Sequence, residues 1–453
     1  MAKLWSWICA ALLVTALSMA VTAPAAAQGG PSAAPTSTVD VHSLPPTAAP
    51  APSFDAEKAT NAYLSRVSGE ARAKSDSYFE GGYVLTFVDA LYAIAVSALL
   101  LFLRISSRMR KIAEGFTRSR FLQVPIYIAQ YLVLTTVLSL PLSIYEGYFR
   151  EHAYGLSNQN FLQWSGDFAK DFALSLIAFA LLGTLVYSAI RATKQYWWAW
   201  GTAISVAFFI LAAVIAPVYI APLFNDYKPL RDGPVKQHIL SLARSEGIPV
   251  TNVYEFDASR QSKRISANVS GMFGTTRISL NDNLLNRSNE REIMAVLGHE
   301  MGHYVLDHAI RLTLMMGLVF LVGFGFSAWG FNILARIFGG IWDVRGIDDP
   351  AGLPVLMALA SFFFLLATPV NNTISRTTEA QADIFGVNAS RQPDGFAEAT
   401  LQLSEYRKLD PSPLEEYVFY DHPSGRSRIS MMMRWKAEHL NDPDIKTGPV
   451  SPQ

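Results

Sequence analysis

Six apolar runs, each near the roughly 20 residues that a helix needs to cross a bilayer, dominate what this chain can fold into. They are Tyr83 to Leu103, Phe121 to Ser143, Phe172 to Ile190, Trp197 to Ile220, Ile310 to Ile337 and Leu353 to Val370. In hydrocarbon each backbone polar group must be satisfied inside the structure, and a helix does this within one segment. Aromatic residues at several ends (Tyr83, Tyr145, Trp197, Trp198, Tyr219) suit the membrane–water boundary. Composition agrees: 51% of the 453 residues are hydrophobic and only 16% charged, against about 25% charged in a soluble domain. Net charge is zero and there is no basic block interleaved with aromatics, so nucleic acid is not an expected partner. The single cysteine, Cys9, excludes a disulfide framework and a thiolate zinc site.

The polar segments between these runs divide the chain. Residues 1–27 read as a signal peptide or a first membrane anchor: Lys3, the apolar stretch Ile8 to Val21, then Ala25-Ala26-Ala27 before Gln28. Residues 28–53 form an Ala/Pro-rich linker expected to be disordered. Membrane helices follow over 54–224, a polar domain over 225–308, further membrane helices over 309–376, a second polar part of that domain over 377–440, and a disordered tail over 441–453. The segment Arg104 to Arg120 carries Arg104, Arg108, Arg110, Lys111, Arg118 and Arg120 against Glu114 alone, and Arg191 and Lys194 fall on the same side two spans later. The positive-inside rule makes that side cytoplasmic. Alternation then puts the 225–308 region on the other face, which is the periplasm if this is the inner membrane of a bacterium. Within that region a helix is expected over Val235 to Glu246, and strands over Val253 to Asp257, Ala267 to Ser270 and Arg277 to Leu280, the last two joined by a turn at Gly271 to Thr275.

The chemistry lies in His299-Glu300-Met301-Gly302-His303, an HExxH run within a helix-compatible stretch, Glu292 to His308. Histidines four apart share one helical face, and two neutral imidazoles there can hold one zinc ion. The intervening glutamate can act as general base toward a water activated by that ion. A third protein ligand is needed, with one position left open for water. Glu379 fits, in a helical run Thr373 to Ala389 after the sixth apolar run; Asp307, on the HExxH helix itself, is a rival that projects further along the axis. Asp383, four residues after Glu379 on the same face, can orient a ligating histidine from behind. The strand Ala267-Asn268-Val269 is the candidate for accepting substrate as an added strand.

Several spaced blocks together make the chain resemble the type I CAAX prenyl proteases, membrane-embedded zinc metalloendopeptidases. These are Glu151 to Ser157, Ala221-Pro222-Leu223-Phe224-Asn225 with Pro229-Leu230, Arg277 to Leu285, Ala295 to His303, Ser375 to Asp383 with its Ser-Arg-x-x-Glu-x-x-Ala-Asp pattern, and His422-Pro423 with Arg428-Ile429. The resemblance implies a polytopic α-helical membrane protein, six or seven transmembrane helices around a chamber, with a small α/β zinc-metallopeptidase domain. It implies one zinc ion on His299, His303 and Glu379, with Glu300 as general base. His422 and Arg428 would steady the substrate or the oxyanion, and Asn268 would lie in the substrate strand. The chain departs from the family at Tyr154, Leu156 and Ser157, in the order Ala267-Asn268, and at Ser427, where the family often has Glu. The expected substrates are C-terminal CAAX-type peptides or misfolded and exported membrane proteins. Alternatives from other classes are a catalytically silent scaffold or chaperone, which an intact Glu300 argues against, and a transporter, which Asp89 as the one acid well inside a span weakens.

Overall fold

A computed structural model describes residues 54–270 and 276–445. The expectations for residues 1–53, for the turn at 271–275 and for the tail beyond 445 lie outside the described residues. In chain order the helices are α1 (Ala56–Ser65), α2 (Gly69–Phe102), α3 (Ile105–Phe116), α4 (Arg120–Ile144), α5 (Phe161–Thr193), α6 (Trp197–Ile215), α7 (Pro234–Ser245), α8 (Asp282–Arg287), α9 (Glu290–Val305), α10 (His308–Trp342), α11 (Leu353–Ser390), α12 (Pro393–Leu403), α13 (Pro413–Phe419) and α14 (Gly425–Glu438). The strands among the described residues are β1 (Tyr227–Pro229), β2 (Val253–Phe256), β3 (Ala267–Ser270) and β4 (Arg277–Asn281), all short.

All six apolar runs are helical, but the helices overrun them. The first begins at Gly69, well before Tyr83. The sixth and the following helical run form one continuous helix, α11, of 38 residues. Such a helix is about 57 Å long, so it crosses a bilayer and still projects beyond it. Among the described residues, five continuous helical segments are long and apolar enough to cross a membrane. The third, Phe161–Leu223, has 63 residues and would be about 95 Å long if straight. It contains two spans, because the chain turns back at Lys194 (φ 50°) into the short Lys194–Tyr196 turn that precedes α6. In three of these segments only 22% of the apolar window is buried within the protein, which leaves the remaining side chains for lipid or an internal space to cover.

The helix reversals sort the bundle into two ends. At one, α2 stops at Leu103 and Arg104 turns left-handed (φ 55°), Lys194 ends α5, and Asp343 (φ 54°) ends α10. Ion pairs gather that end: Arg110 with Asp349 at 2.5 Å and Asp343 at 3.0 Å, and Arg120 with Asp348 at 2.6 Å. The opposite end carries the α/β unit. Its sheet has the order β1-β2-β4-β3, with β2 and β4 parallel and the outer pairs antiparallel. Strand β1 was not foreseen; its three residues contain Pro229 and too little alternation to signal a strand. Ile239, Val253, Ile278, Leu280, Leu284, Leu297 and Met301 form one buried cluster between α7, the sheet and α9. Each such side chain contributes about 1.5–3 kcal/mol by leaving water. That cluster fixes α9 against the sheet, with β3 as the outermost strand beside it.

Candidate active site

Helix α9 starts where the sequence asks it to. Asn289 caps it, accepting from the Arg291 and Glu292 amides, while the Glu292 carboxylate returns to the Asn289 amide. This reciprocal cap, with Glu290 and Glu292 in the first turn against the helix dipole, anchors the N-terminal end. Ten residues on, His299 and His303 project one turn apart, both buried. The helix stops at Val305, because Asp307 is left-handed (φ 53°), so it is shorter than the stretch to His308 read from the sequence.

Glycines bring the second half of the site close. Gly298 and Gly302, four apart, face Ala382 and Gly386 on α11. A β-carbon on Gly298 would lie 2.7 Å from the Gly386 carbonyl oxygen, and one on Gly386 would lie 2.6 Å from the His299 backbone nitrogen. Two small-xxx-small ridges thus let the helix backbones touch, as in closely packed membrane helices. Each glycine directly precedes a histidine, so the same contact points both imidazoles at α11.

There they meet Glu379. His299 Nε2 is 3.2 Å from Glu379 Oε2, His303 Nε2 is 3.6 Å from Glu379 Oε1, and the two Nε2 atoms are 3.1 Å apart. One donor atom from each residue lies within 4.8 Å of the others, and all three residues are buried. Glu379 Oε2 is a buried oxygen that makes no well-aligned hydrogen bond, although imidazole nitrogens of His299 and His422 lie 3.2 Å from it. Two imidazoles and a carboxylate converging this way fit a divalent ion of borderline softness such as zinc. Asp307 is not in this group.

Behind the cluster, Asp383 Oδ1 is 2.7 Å from His299 Nδ1. Arg428 donates to the same carboxylate through Nε at 2.8 Å and Nη2 at 2.5 Å. The guanidinium is buried and pairs with the carboxylate that also meets His299 Nδ1. The ion pair that Ser427 cannot make is therefore supplied by Asp383, and the Ser427 hydroxyl lies 3.2 Å from Glu416. His422 is on the cluster itself, with Nε2 3.2 Å from Glu379 Oε2. Its Nδ1 is 2.9 Å from Asp421 Oδ1, and Arg407 lies 3.7 Å from that oxygen. Asp421 and Arg407 were missed from the sequence, although an acid adjacent to a candidate histidine was a usable signal.

Charge follows geometry. Burial alone would lower the His299 imidazole, but Asp383 and Glu379 outweigh it and hold it up at about 10. Burial raises the Glu300 carboxyl, opposed by His299 and His303. Burial would also raise Asp421, yet His422 and Arg407 keep it well below the usual carboxylate range. Ala267 and Val269 pack inward against α9 and Asn268 is half-buried on the other face of β3. Strand β3 pairs with β4 on one side only among the described residues.

Comparison with known proteins gives two family matches. The model described as peptidase family M48 matches residues 229–436, and the model described as CAAX prenyl protease N-terminal, five membrane helices, matches residues 56–226. An uncharacterized metalloprotease, YhfN, of Bacillus subtilis is 31% identical over 327 residues, 72% of this chain and 76% of that protein. CAAX prenyl protease 1 of Saccharomyces cerevisiae is 30% identical over 318 residues, 66% of this chain and 69% of that one. The crystal structure of S. mikatae Ste24p superposes with a TM-score of 0.69 at 23% identity, over 83% of this chain and 95% of that chain; it shares the fold.

Proposed function

The chain belongs to peptidase family M48 as an integral membrane metalloprotease of the CAAX prenyl protease type, and from that premise we propose that it binds one zinc ion through His299, His303 and Glu379 and cuts peptide bonds with Glu300 as general base. The observation that carries this reading is the convergence of two imidazole nitrogens and the buried Glu379 Oε2, which makes no well-aligned hydrogen bond. A zinc ion held there would supply the Lewis acidity that brings an attacking water to a pKa near 7. Glu300 takes the proton from that water and later delivers it to the leaving amine. Its carboxyl, raised by burial, is suited to passing a proton in both directions. His422, held by Asp421, donates to the oxygen that gains charge as the carbonyl is attacked. Asp383, clamped by Arg428, keeps His299 in one orientation. An extended substrate adds along the free edge of β3 through backbone hydrogen bonds, with Asn268 toward it.

The substrate class is read as either CAAX-type C-terminal peptides or misfolded and exported membrane proteins. The scaffold and transporter alternatives are not needed. Purified wild type and Glu300→Gln, each with zinc, are compared on a farnesylated CAAX peptide and on an unfolded polypeptide, counting new amino termini. Cleavage by wild type alone supports the proposal, and the preferred substrate selects the class. Equal cleavage by both proteins would overturn the role of Glu300.

For orientation, the basic segments gather at one end of the bundle and the zinc cluster lies toward the other. With the positive-inside rule, this supports a periplasmic site in a bacterial inner membrane. A C-terminal alkaline phosphatase fusion should be active and a fluorescent protein fusion dark; the reverse pattern would put the site in the cytoplasm.

A further inference from the structure

His303 differs from His299 in what lies behind it. His299 has a carboxylate on Nδ1, whereas His303 Nδ1 faces another imidazole, His308 Nδ1, at 3.0 Å. Two like nitrogens can bond only if one carries the proton and the other does not, and the neighbours of His308 decide which. His308 Nε2 is 3.2 Å from Gln381 Oε1, and Arg311 Nη1 donates to the same oxygen at 2.9 Å. A guanidinium is a donor only and does not lose its proton in a protein. It therefore fixes the amide with Oε1 inward, and that oxygen requires a proton from His308 Nε2. Neutral His308 then has a lone pair on Nδ1, so His303 must carry its proton on Nδ1. What remains on His303 Nε2 is a lone pair, on the side of His299 and Glu379.

The backbone makes this contact possible. Residues five apart do not face each other on a regular helix, but the left-handed Asp307 breaks the helix between the two histidines and turns His308 back onto His303. His308 is completely buried, while Arg311 and Gln381 are exposed. Gln381 lies on α11 two residues after Glu379, so one helix supplies both a ligand and part of the support for another.

We infer that Arg311, Gln381 and His308 form a relay of positioning residues that sets the tautomer and ring orientation of His303 for metal binding. This rests on the zinc-site reading above. An outer partner of this kind typically changes metal affinity by about 10–100-fold.

The test measures zinc affinity of the purified full-length protein by competition with a chromophoric chelator, alongside thermal unfolding of the metal-free forms. Gln381→Leu removes the acceptor at an exposed position and is expected to weaken zinc binding by about 10-fold or more, with unfolding unchanged. Gln381→Glu keeps an acceptor oxygen and should bind like wild type. Arg311→Met should fall between the two, because the amide is then free to turn over. Wild-type affinity in Gln381→Leu would overturn the relay, as would equal weakening in Gln381→Leu and Gln381→Glu. Wild type without zinc would overturn the metal-site reading and the relay with it, whereas a zinc-loaded wild type with unaffected relay variants would overturn the relay alone.

Discussion

Replacing Gly386 by alanine tests whether helix contact, rather than the ligands alone, builds the site. The new β-carbon would lie 2.6 Å from the His299 backbone nitrogen, and 2.9 Å from both the Gly298 carbonyl carbon and the His299 Cα. Non-bonded heavy atoms prefer separations of about 3.5 Å, so α9 and α11 must part by roughly 0.5–1 Å. All three obstacles are backbone, so no side chain can swing away. Glu379 sits about two turns before Gly386 on the same rigid helix and moves with it. Metal–ligand distances tolerate only about 0.2 Å, so zinc affinity should fall by at least about 10-fold. Overpacking destabilises by about 1–3 kcal/mol, while alanine in a helix recovers up to about 1 kcal/mol over glycine. The melting temperature therefore moves little, and metal affinity is the discriminating readout. The control is Gly325→Ala, where nothing lies within 4 Å of the new carbon. Chelator competition on purified protein should give a weakened Gly386→Ala and an unchanged Gly325→Ala. If Gly386→Ala binds zinc within twofold of wild type, the close contact does not set the ligand geometry.

Other perturbations separate the remaining roles. Glu300→Gln should keep its zinc and lose about 10²–10⁴-fold in turnover, measured by single-substrate cleavage and metal content together. His422→Ala should lower kcat by about 10²–10³-fold with little change in KM, and Asp421→Asn should act in the same direction by less. Arg428→Leu leaves the buried Asp383 charge without its partner, and calorimetry should register a loss of about 3–5 kcal/mol. Because His299 is held up at about 10 in the metal-free protein, zinc must displace a proton from it. Apparent affinity should then rise about tenfold per pH unit below that value and fall as the pH is lowered; titration calorimetry in buffers of different ionisation enthalpy counts the proton released.

The candidate cluster was legible because its signals are local. Helical spacing puts His299 and His303 on one face beside Glu300, and a second four-residue interval, together with the family resemblance, points to Glu379 and Asp383. The membrane helices were legible from hydropathy, and the three longer strands from alternation. What escaped the sequence depends on tertiary approach. The block around Arg428 points to the substrate or the oxyanion, and nothing in its neighbours reveals that Asp383, 45 residues away, pairs with the guanidinium. The link from His303 to His308 needs the left-handed Asp307, a conformation uncommon outside glycine. The close approach of α11 to Gly298 and Gly302 likewise has no signal in the sequence around them. The helix ends were also blurred, since α2 starts in polar sequence well before its apolar stretch and α11 runs on through polar sequence after its own gives out.

The most direct measurement is X-ray absorption at the zinc edge on the purified full-length protein, with total metal determined on the same sample. Two histidines and Glu379 as ligands require one zinc per chain, with nitrogen and oxygen neighbours at about 2.0–2.2 Å and an imidazole signal that loses one ring in His303→Ala. A wild type without stoichiometric metal, or a coordination shell that His303→Ala and Glu379→Gln leave untouched, would contradict the assignment of this site.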